Sequence, residues 1–255
     1  MVNMLNYDKY IDKLTQILKE YNVCSSHGIE HAFTVMMNAK NCINLKNNSI
    51  NINYKDYILT DDEIDAILLA ALLHDADDKK FFPNNKNYEN LRSVLFDKTE
   101  DFINKVITMV DLVSSSKNGD NIPDFVKAKE WLLIPRYADR LEAIGLIGIE
   151  RCYKYGKTSN NPLFVDTTPR PLTEIEIWDH ATEERYKNYT GKSDSMMDHY
   201  YDKLLRLTVF PIRNAYLDLM CNKRRKPIIN FVLYFSNKKN MTDEDVINFI
   251  NNFSN

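Results

Sequence analysis

The feature that most constrains this chain is an apolar segment that stops abruptly in charge. Ile64, Ile67, Leu68, Ala71 and Leu72 form one stripe at helical spacing, and Leu69, Ala70 and Leu73 widen it until the helix is apolar nearly all round. A helix of that kind belongs at the centre of a fold. Ahead of it, Thr60-Asp-Asp-Glu63 has the form of a capping box, in which the threonine accepts an amide and the glutamate reaches back to the cap. Behind it the sequence turns to His74-Asp75-Ala-Asp77-Asp78-Lys79-Lys80. Polar side chains at the end of a buried helix are costly to desolvate unless they pair or bind something. Chemistry is to be sought at this boundary.

Helical periodicity recurs elsewhere. Ile11, Leu14, Ile17 and Leu18 repeat at three- and four-residue steps between Tyr7 and Tyr21, and a second helix is expected to begin near His27. The Asn-rich stretch 44–57 and the stretch 84–90 read as surface loops. A helix follows through Phe102, Ile107 and Val110, with a turn at 114–119. From Trp131 to Tyr155 the spacing predicts one helix with Ala138, Leu141, Ile144, Gly145, Gly148 and Ile149 along one side, its glycines allowing a neighbouring helix to approach; Asp139 lies inside this apolar run. Residues 156–195 read as an irregular insertion or lid with some helix around 174–186. An amphipathic helix is expected over 197–222, and Thr242-Asp-Glu-Asp245 opens a last one. With only 6 Gly and 8 Pro in 255 residues, this pattern favours helices over a turn-rich β fold. The expected architecture is all-α in a single domain over 1–255, with a core over about 22–155, the lid over 156–195 and C-terminal helices over 196–255.

A hydrophobic content of 44% is ample for a core, and a formal net charge of -3 provides no basic field to draw the chain onto a long nucleic acid. The four cysteines are widely spaced without a CxxC pair, so reduced thiols are expected rather than a disulfide framework or zinc knuckle. The first twenty residues lack the charged-then-apolar order of a signal peptide, and no stretch approaches the roughly 18 apolar residues of a membrane span. An intracellular, cytoplasmic protein without membrane contact is expected. Apolar residues on the last helices leave room for a homodimer.

Only five histidines are present, at 27, 31, 74, 180 and 199. His27 and His31 are four apart at the start of a helix, where their side chains can face the same way. Imidazole and carboxylate together suit a borderline divalent ion such as Mn, Fe, Co, Ni or Zn, and carboxylate alone suits Mg. Bland alternatives stand beside this reading. A histidine at a helix C-terminus is favoured by the dipole, and an adjacent aspartate can simply pair with it. A carboxylate such as Asp139 in an apolar helix must be neutral, paired or liganded, and Arg136 or Arg140 is a candidate partner.

Taken in order, His27-Gly-Ile-Glu-His31 with Val35, Leu72-Leu-His74-Asp75 with Asp78 and Lys80, and Ala138-Asp139-Arg140-Leu-Glu-Ala-Ile-Gly145 with Ile147-Gly-Ile149 and Tyr155-Gly156 resemble the HD-domain phosphohydrolases. The similarity is to the short single-domain branch, and His199-Tyr-Tyr-Asp-Lys203-Leu-Leu-Arg-Leu207 is similar to its C-terminal helix. It spans roughly 27–207 with gaps.

The resemblance implies an α-helical bundle in which His31, His74, Asp75 and Asp139 converge on one divalent metal ion. It implies hydrolysis of a phosphate ester or anhydride, in a nucleotide or a small phosphorylated metabolite, by a water whose pKa the metal lowers. Asp75 would also orient that water, and Asp78 is a candidate general acid or base. Lys80 and Arg140 would neutralise phosphoryl charge, and His27 would contact substrate or support a ligand. Two departures matter. Thr34 stands where that branch commonly has arginine, and Val113, before Ser114, where it often has histidine; the latter argues for one metal rather than two. The scarcity of histidines between 75 and 139 also argues against a pair of irons. The competing expectation is a protein that holds metal and nucleotide as a sensor without turnover.

Overall fold

Residues 61–72 form the helix that the capping box announces. In this computed structural model, which describes residues 7–114 and 121–253, Thr60 Oγ1 accepts the Glu63 amide at 3.2 Å while the Glu63 carboxylate accepts the Thr60 amide at 2.9 Å. Helix α3 (Asp61–Leu72) starts there and is buried along almost its whole length, Ala66 through Ala71 having no exposure at all. Burial of six consecutive residues explains why its apolar pattern has no polar face.

The chain forms two compact units, one of Met1–Asp139 with Ile212–Leu217 and the other of Arg140–Pro211 with Asp218–Asn255. In the first, α1 (Asp8–Glu20) packs on α2 (Ile29–Asn41) and on the short α4 (Glu89–Val94), while α3 is held between α2 and α5 (Glu100–Val113). Val35, Met36 and Ala39 of α2 and Val106 and Met109 of α5 share complete burial with the α3 stripe. At about 25 cal/mol per Å² of apolar surface, packing of this kind is the main favourable term in the fold.

The expected loop at 44–57 is instead largely a hairpin, with β1 (Ser49–Ile52) antiparallel to β2 (Lys55–Ile58) and Ile52 paired with Lys55. Asn53 and Tyr54 both have positive φ, 50° and 64°, the backbone of a two-residue primed turn. Ile50 and Ile52 enter the core on one face. Arg213 and Asn53 exchange hydrogen bonds at 2.8 and 2.9 Å, and Asn214 Nδ2 donates to the carbonyls of Cys42 and Asn51, which ties residues 212–217 to this unit.

The helix expected over 131–155 is broken. A 3₁₀ turn (Glu130–Leu133) leads into α6 (Ile134–Glu142), and α7 (Gly145–Thr158) follows after a turn. The two glycines make that break. Gly145 takes φ +79°, and a Cβ on Gly148 would lie 2.3 Å from the Ala143 carbonyl oxygen. The inferred close approach of a second helix is also present at Gly145, where the stem of Arg224 would be 3.0 Å from an added Cβ. Arg224 donates to Glu142 Oε1 at 2.7 Å and to the Leu141 carbonyl, pairing a carboxylate that is 1% exposed.

Within the second unit, residues 159–195 carry only the short helices α8 (Glu174–His180) and α9 (Glu183–Lys187). The single helix expected over 197–222 is instead three short pieces followed by the start of a longer helix. These are α10 (Met196–His199), a π turn (Tyr200–Leu204) and a 3₁₀ turn (Arg206–Thr208), with α11 (Ala215–Ser236) beginning only after Pro211, whose missing N–H and restricted neighbour disfavour a continuous helix. α12 (Asp243–Phe253) starts at the expected Thr242 cap, with Asp245 accepting the Thr242 amide at 2.9 Å. The turn read at 114–119 lies, from 115 onward, outside the described residues. The four cysteines are free thiols, and no helix among the described residues is long and apolar enough to cross a membrane.

Candidate metal centre

Three segments of the first unit bring four side chains together. α2 supplies His31 from its first turn, the turn after α3 supplies His74 and Asp75, and α6 supplies Asp139. His31 Nε2 lies 3.4 Å from Asp139 Oδ1, and His74 Nε2 lies 3.6 Å from the same oxygen. Asp75 Oδ2 is 3.3 Å from His74 Nε2 and 4.0 Å from His31 Nε2. One ligand atom from each of His31, His74 and Asp139 lies within 4.8 Å of the others, and Asp75 adjoins this triad through the two imidazoles.

The donor chemistry fits a divalent cation. Neither Nε2 makes a hydrogen bond, although both are buried and aimed at carboxylate oxygens. Two ligand atoms about 2.1 Å from a tetrahedral ion are roughly 3.4 Å apart, which is the separation seen here and too long for good hydrogen bonds. His74 Nδ1 is 2.8 Å from the Ala71 carbonyl oxygen. A carbonyl can only accept, so Nδ1 carries a proton, and Nε2 is the nitrogen left to give its lone pair to a bound cation, the usual support for a metal-binding imidazole. The imidazole side chains are 5% and 2% exposed and the Asp75 and Asp139 side chains 22% and 28%, so the cluster is closed on its histidine side and open on its carboxylate side.

Electrostatics point the same way. Burial alone would depress His74, yet the carboxylates of Asp75 and then Asp139 outweigh it and raise the imidazole to about 9. Burial would raise Asp75, but its pairing with His74 holds the carboxyl down near 2. Among protein groups alone the pair is ionised, and a divalent cation would replace the Nε2 proton.

Asn38 and Arg136 fix this arrangement, and the sequence reading passed over the first and gave the second another role. Asn38, buried two turns along α2 from His31, donates to the Ala138 carbonyl at 3.4 Å and accepts from the Tyr216 hydroxyl at 2.7 Å. Arg136, with no exposure, donates through Nε to the Leu112 carbonyl at 2.5 Å and through Nη1 to the Asn121 carbonyl at 3.1 Å. A buried guanidinium at the carbonyl end of α5 is favoured by the helix dipole. The only sequence signal for either was a polar residue inside an apolar period.

The remaining candidates are placed as follows. His27 belongs to a 3₁₀ turn (Ser25–His27) before Gly28 and not to α2, so the shared helical face expected for His27 and His31 does not exist; the two rings nevertheless meet edge to face at 6.1 Å. Asp78 Oδ1 accepts the Lys80 amide at 2.8 Å and so shapes the turn after the ligands. Lys80 Nζ sits 5.1 Å from the Phe81 ring. Arg140 is buried and begins the second unit. Val113 is buried at the end of α5, and Thr34 Oγ1 donates to the Glu30 carbonyl at 2.8 Å, bonding back along its own helix.

No protein-family model matches the chain. It is 35% identical over 239 residues to the uncharacterized protein L803 of Acanthamoeba polyphaga mimivirus, an alignment that covers 86% of this chain and 92% of that protein. Among solved structures it is similar to a Lactobacillus plantarum protein (TM-score 0.63, 24% identity, 92% of this chain and 97% of the other). It is also similar to an HD-superfamily hydrolase from Bacillus thuringiensis (TM-score 0.57, 20% identity, 91% of this chain and 95% of the other).

Proposed function

Because the chain belongs to the family of mimivirus protein L803 and has the fold of the HD superfamily, we propose that it is a metal-dependent phosphohydrolase. Its substrate is a phosphate ester or anhydride, in a nucleotide or a small phosphorylated metabolite. The observation that carries this reading is the pair of buried Nε2 atoms of His31 and His74, unsatisfied by hydrogen bonds and facing Asp139 and Asp75 at ligand spacing.

His31, His74, Asp75 and Asp139 would hold one divalent ion, of the Mn, Fe, Co, Ni, Zn or Mg group. When bound, such an ion supplies Lewis acidity toward a phosphoryl oxygen and lowers the pKa of water. The protein's own groups do the rest. Asp75, on the open side of the cluster, accepts a hydrogen bond from the attacking water and orients it. Asp78 keeps one carboxylate oxygen in its turn, leaving the other to exchange a proton with the leaving group. Lys80 and His27 meet the phosphoryl charge. The two imidazoles, closed off from water, keep the ligand set rigid so that little reorganisation accompanies the reaction.

The test is phosphate release from a panel of nucleotides and sugar phosphates with added Mn, Co, Ni or Mg, comparing wild type with Asp75→Asn. Metal-dependent release that drops by about 10²-fold or more in the variant supports the reading; release indifferent to both metal and Asp75 contradicts it. A second reading, retention of metal and nucleotide without turnover, is favoured by Val113 and Thr34. It predicts nucleotide binding with no release.

A further inference from the structure

Next to the metal cluster, a half-buried aromatic ring joins two groups of different origin. Phe81 follows four charged residues, and its backbone cannot drift: the Asp78 carbonyl accepts the amides of both Phe81 and Phe82, at 2.9 and 2.8 Å. Phe82 is 1% exposed and packs edge-on against Tyr21 at 4.9 Å, anchoring the turn from below. The Phe81 ring itself points elsewhere. It lies 5.0 Å from the His27 ring, which in turn lies 6.1 Å from the ring of His31, and the Lys80 ammonium sits 5.1 Å from the Phe81 centroid. A phenyl face attracts an ammonium through its quadrupole. A lysine held there has fewer rotamers to give up when it meets an anion.

We infer that Phe81 is a positioning residue: it holds His27 and the Lys80 ammonium beside the cluster so that both meet the terminal phosphate of the substrate. The inference rests on the phosphohydrolase reading and names the part of the site that recognises the phosphoryl group rather than the metal. The Phe81 ring meets His27 and the Lys80 ammonium, neither of them among the four ligand residues, so its removal should weaken phosphate binding and leave metal uptake alone.

The experiment measures Mn content and the affinity for inorganic phosphate, by calorimetry, in Mn-loaded wild type, Phe81→Leu, Phe81→Trp, Lys80→Met and the Phe81→Leu/Lys80→Met double variant. Mn content should be the same in all. Phosphate affinity should fall roughly three- to fivefold in Phe81→Leu, the size of one exposed cation–π contact, and recover to within about twofold in Phe81→Trp, whose face is the stronger. In the Lys80→Met background, Phe81→Leu should cost no more than about a further twofold, because coupled residues are not additive. With any active substrate, Phe81→Leu alone should raise KM while its kcat stays within about twofold. Phosphate affinity unchanged in Phe81→Leu, or losses that multiply fully in the double variant, would overturn the inference. So would loss of Mn from Phe81→Leu, which would make the ring a structural support. A wild type that takes up neither Mn nor Fe, Co, Ni, Zn or Mg would overturn the phosphohydrolase reading itself, and this inference with it.

Discussion

His31 and Asp139 face one another across 3.4 Å, Nε2 to Oδ1, and the imidazole that makes this contact has no hydrogen bond at either nitrogen. Burying an imidazole in that state is unfavourable. The contact is maintained because α2 and α6 are tied to one another close by, through Asn38 and the Ala138 carbonyl.

That tie gives the first prediction. Asn38→Leu removes the bond to α6 and strands the Tyr216 hydroxyl, and it should lower stability by about 1–3 kcal/mol. Because Asn38 touches no ligand, metal should still bind, but more weakly. Denaturant unfolding with a metal titration checks both. An unchanged metal affinity would show that Asn38 does not set the α2–α6 register.

The capping box makes a separate claim about the central helix. Thr60→Ala removes an acceptor for the Glu63 amide and should cost about 1 kcal/mol, with no effect on metal content. Urea denaturation reads the first and elemental analysis the second. A Thr60 variant as stable as wild type would mean that burial alone holds α3.

His199 contributes to the acid limb of stability. Burial, then the neighbouring Lys203 charge, pushes its imidazole down to about 3 from an ordinary value near 6.5, and Ser193 Oγ lies 3.2 Å from its Nδ1. The native state therefore holds the neutral form while the unfolded chain takes up a proton below about 6.5. Stability should fall as pH drops from 6.5 toward 3, the window in which the unfolded state binds more protons. His199→Gln should flatten that limb and leave the region above pH 7 unchanged. An identical pH dependence in the variant would remove His199 as the cause.

The parts of this structure that were legible in the sequence were those with a strong local signal. Thr60 to Leu72 reads as a capped central helix because cap, period and burial agree, and Thr242 with Asp245 announces the last helix in the same way. Asp139 stood out as a carboxylate inside an apolar run, whereas His31, His74 and Asp75 were singled out by the order of their motifs, whose resemblance to the HD-domain phosphohydrolases also implied the fold. What escaped notice depended on backbone conformation or on distant partners. Asn53-Tyr54 turns a hairpin without the glycine that usually marks one. Gly145 and Gly148 break a helix that their apolar neighbours would continue. Pro211 does the same for the C-terminal helix. Asn38 shows only as a polar residue inside an apolar period and Phe81 carries no signature, because the role of each is set by a residue elsewhere in the chain or by a turn whose shape only the fold provides.

The central claim is that His31, His74, Asp75 and Asp139 hold a divalent cation, and elemental analysis of purified wild type beside Asp139→Ala tests it most directly. The account predicts about one Mn, Fe, Co, Ni or Zn per wild-type chain, or uptake of one such ion or Mg on addition. It predicts none in Asp139→Ala, with an unchanged helical circular-dichroism spectrum. A wild type that binds no divalent ion under any condition, or an Asp139→Ala variant that binds it equally well, would contradict it.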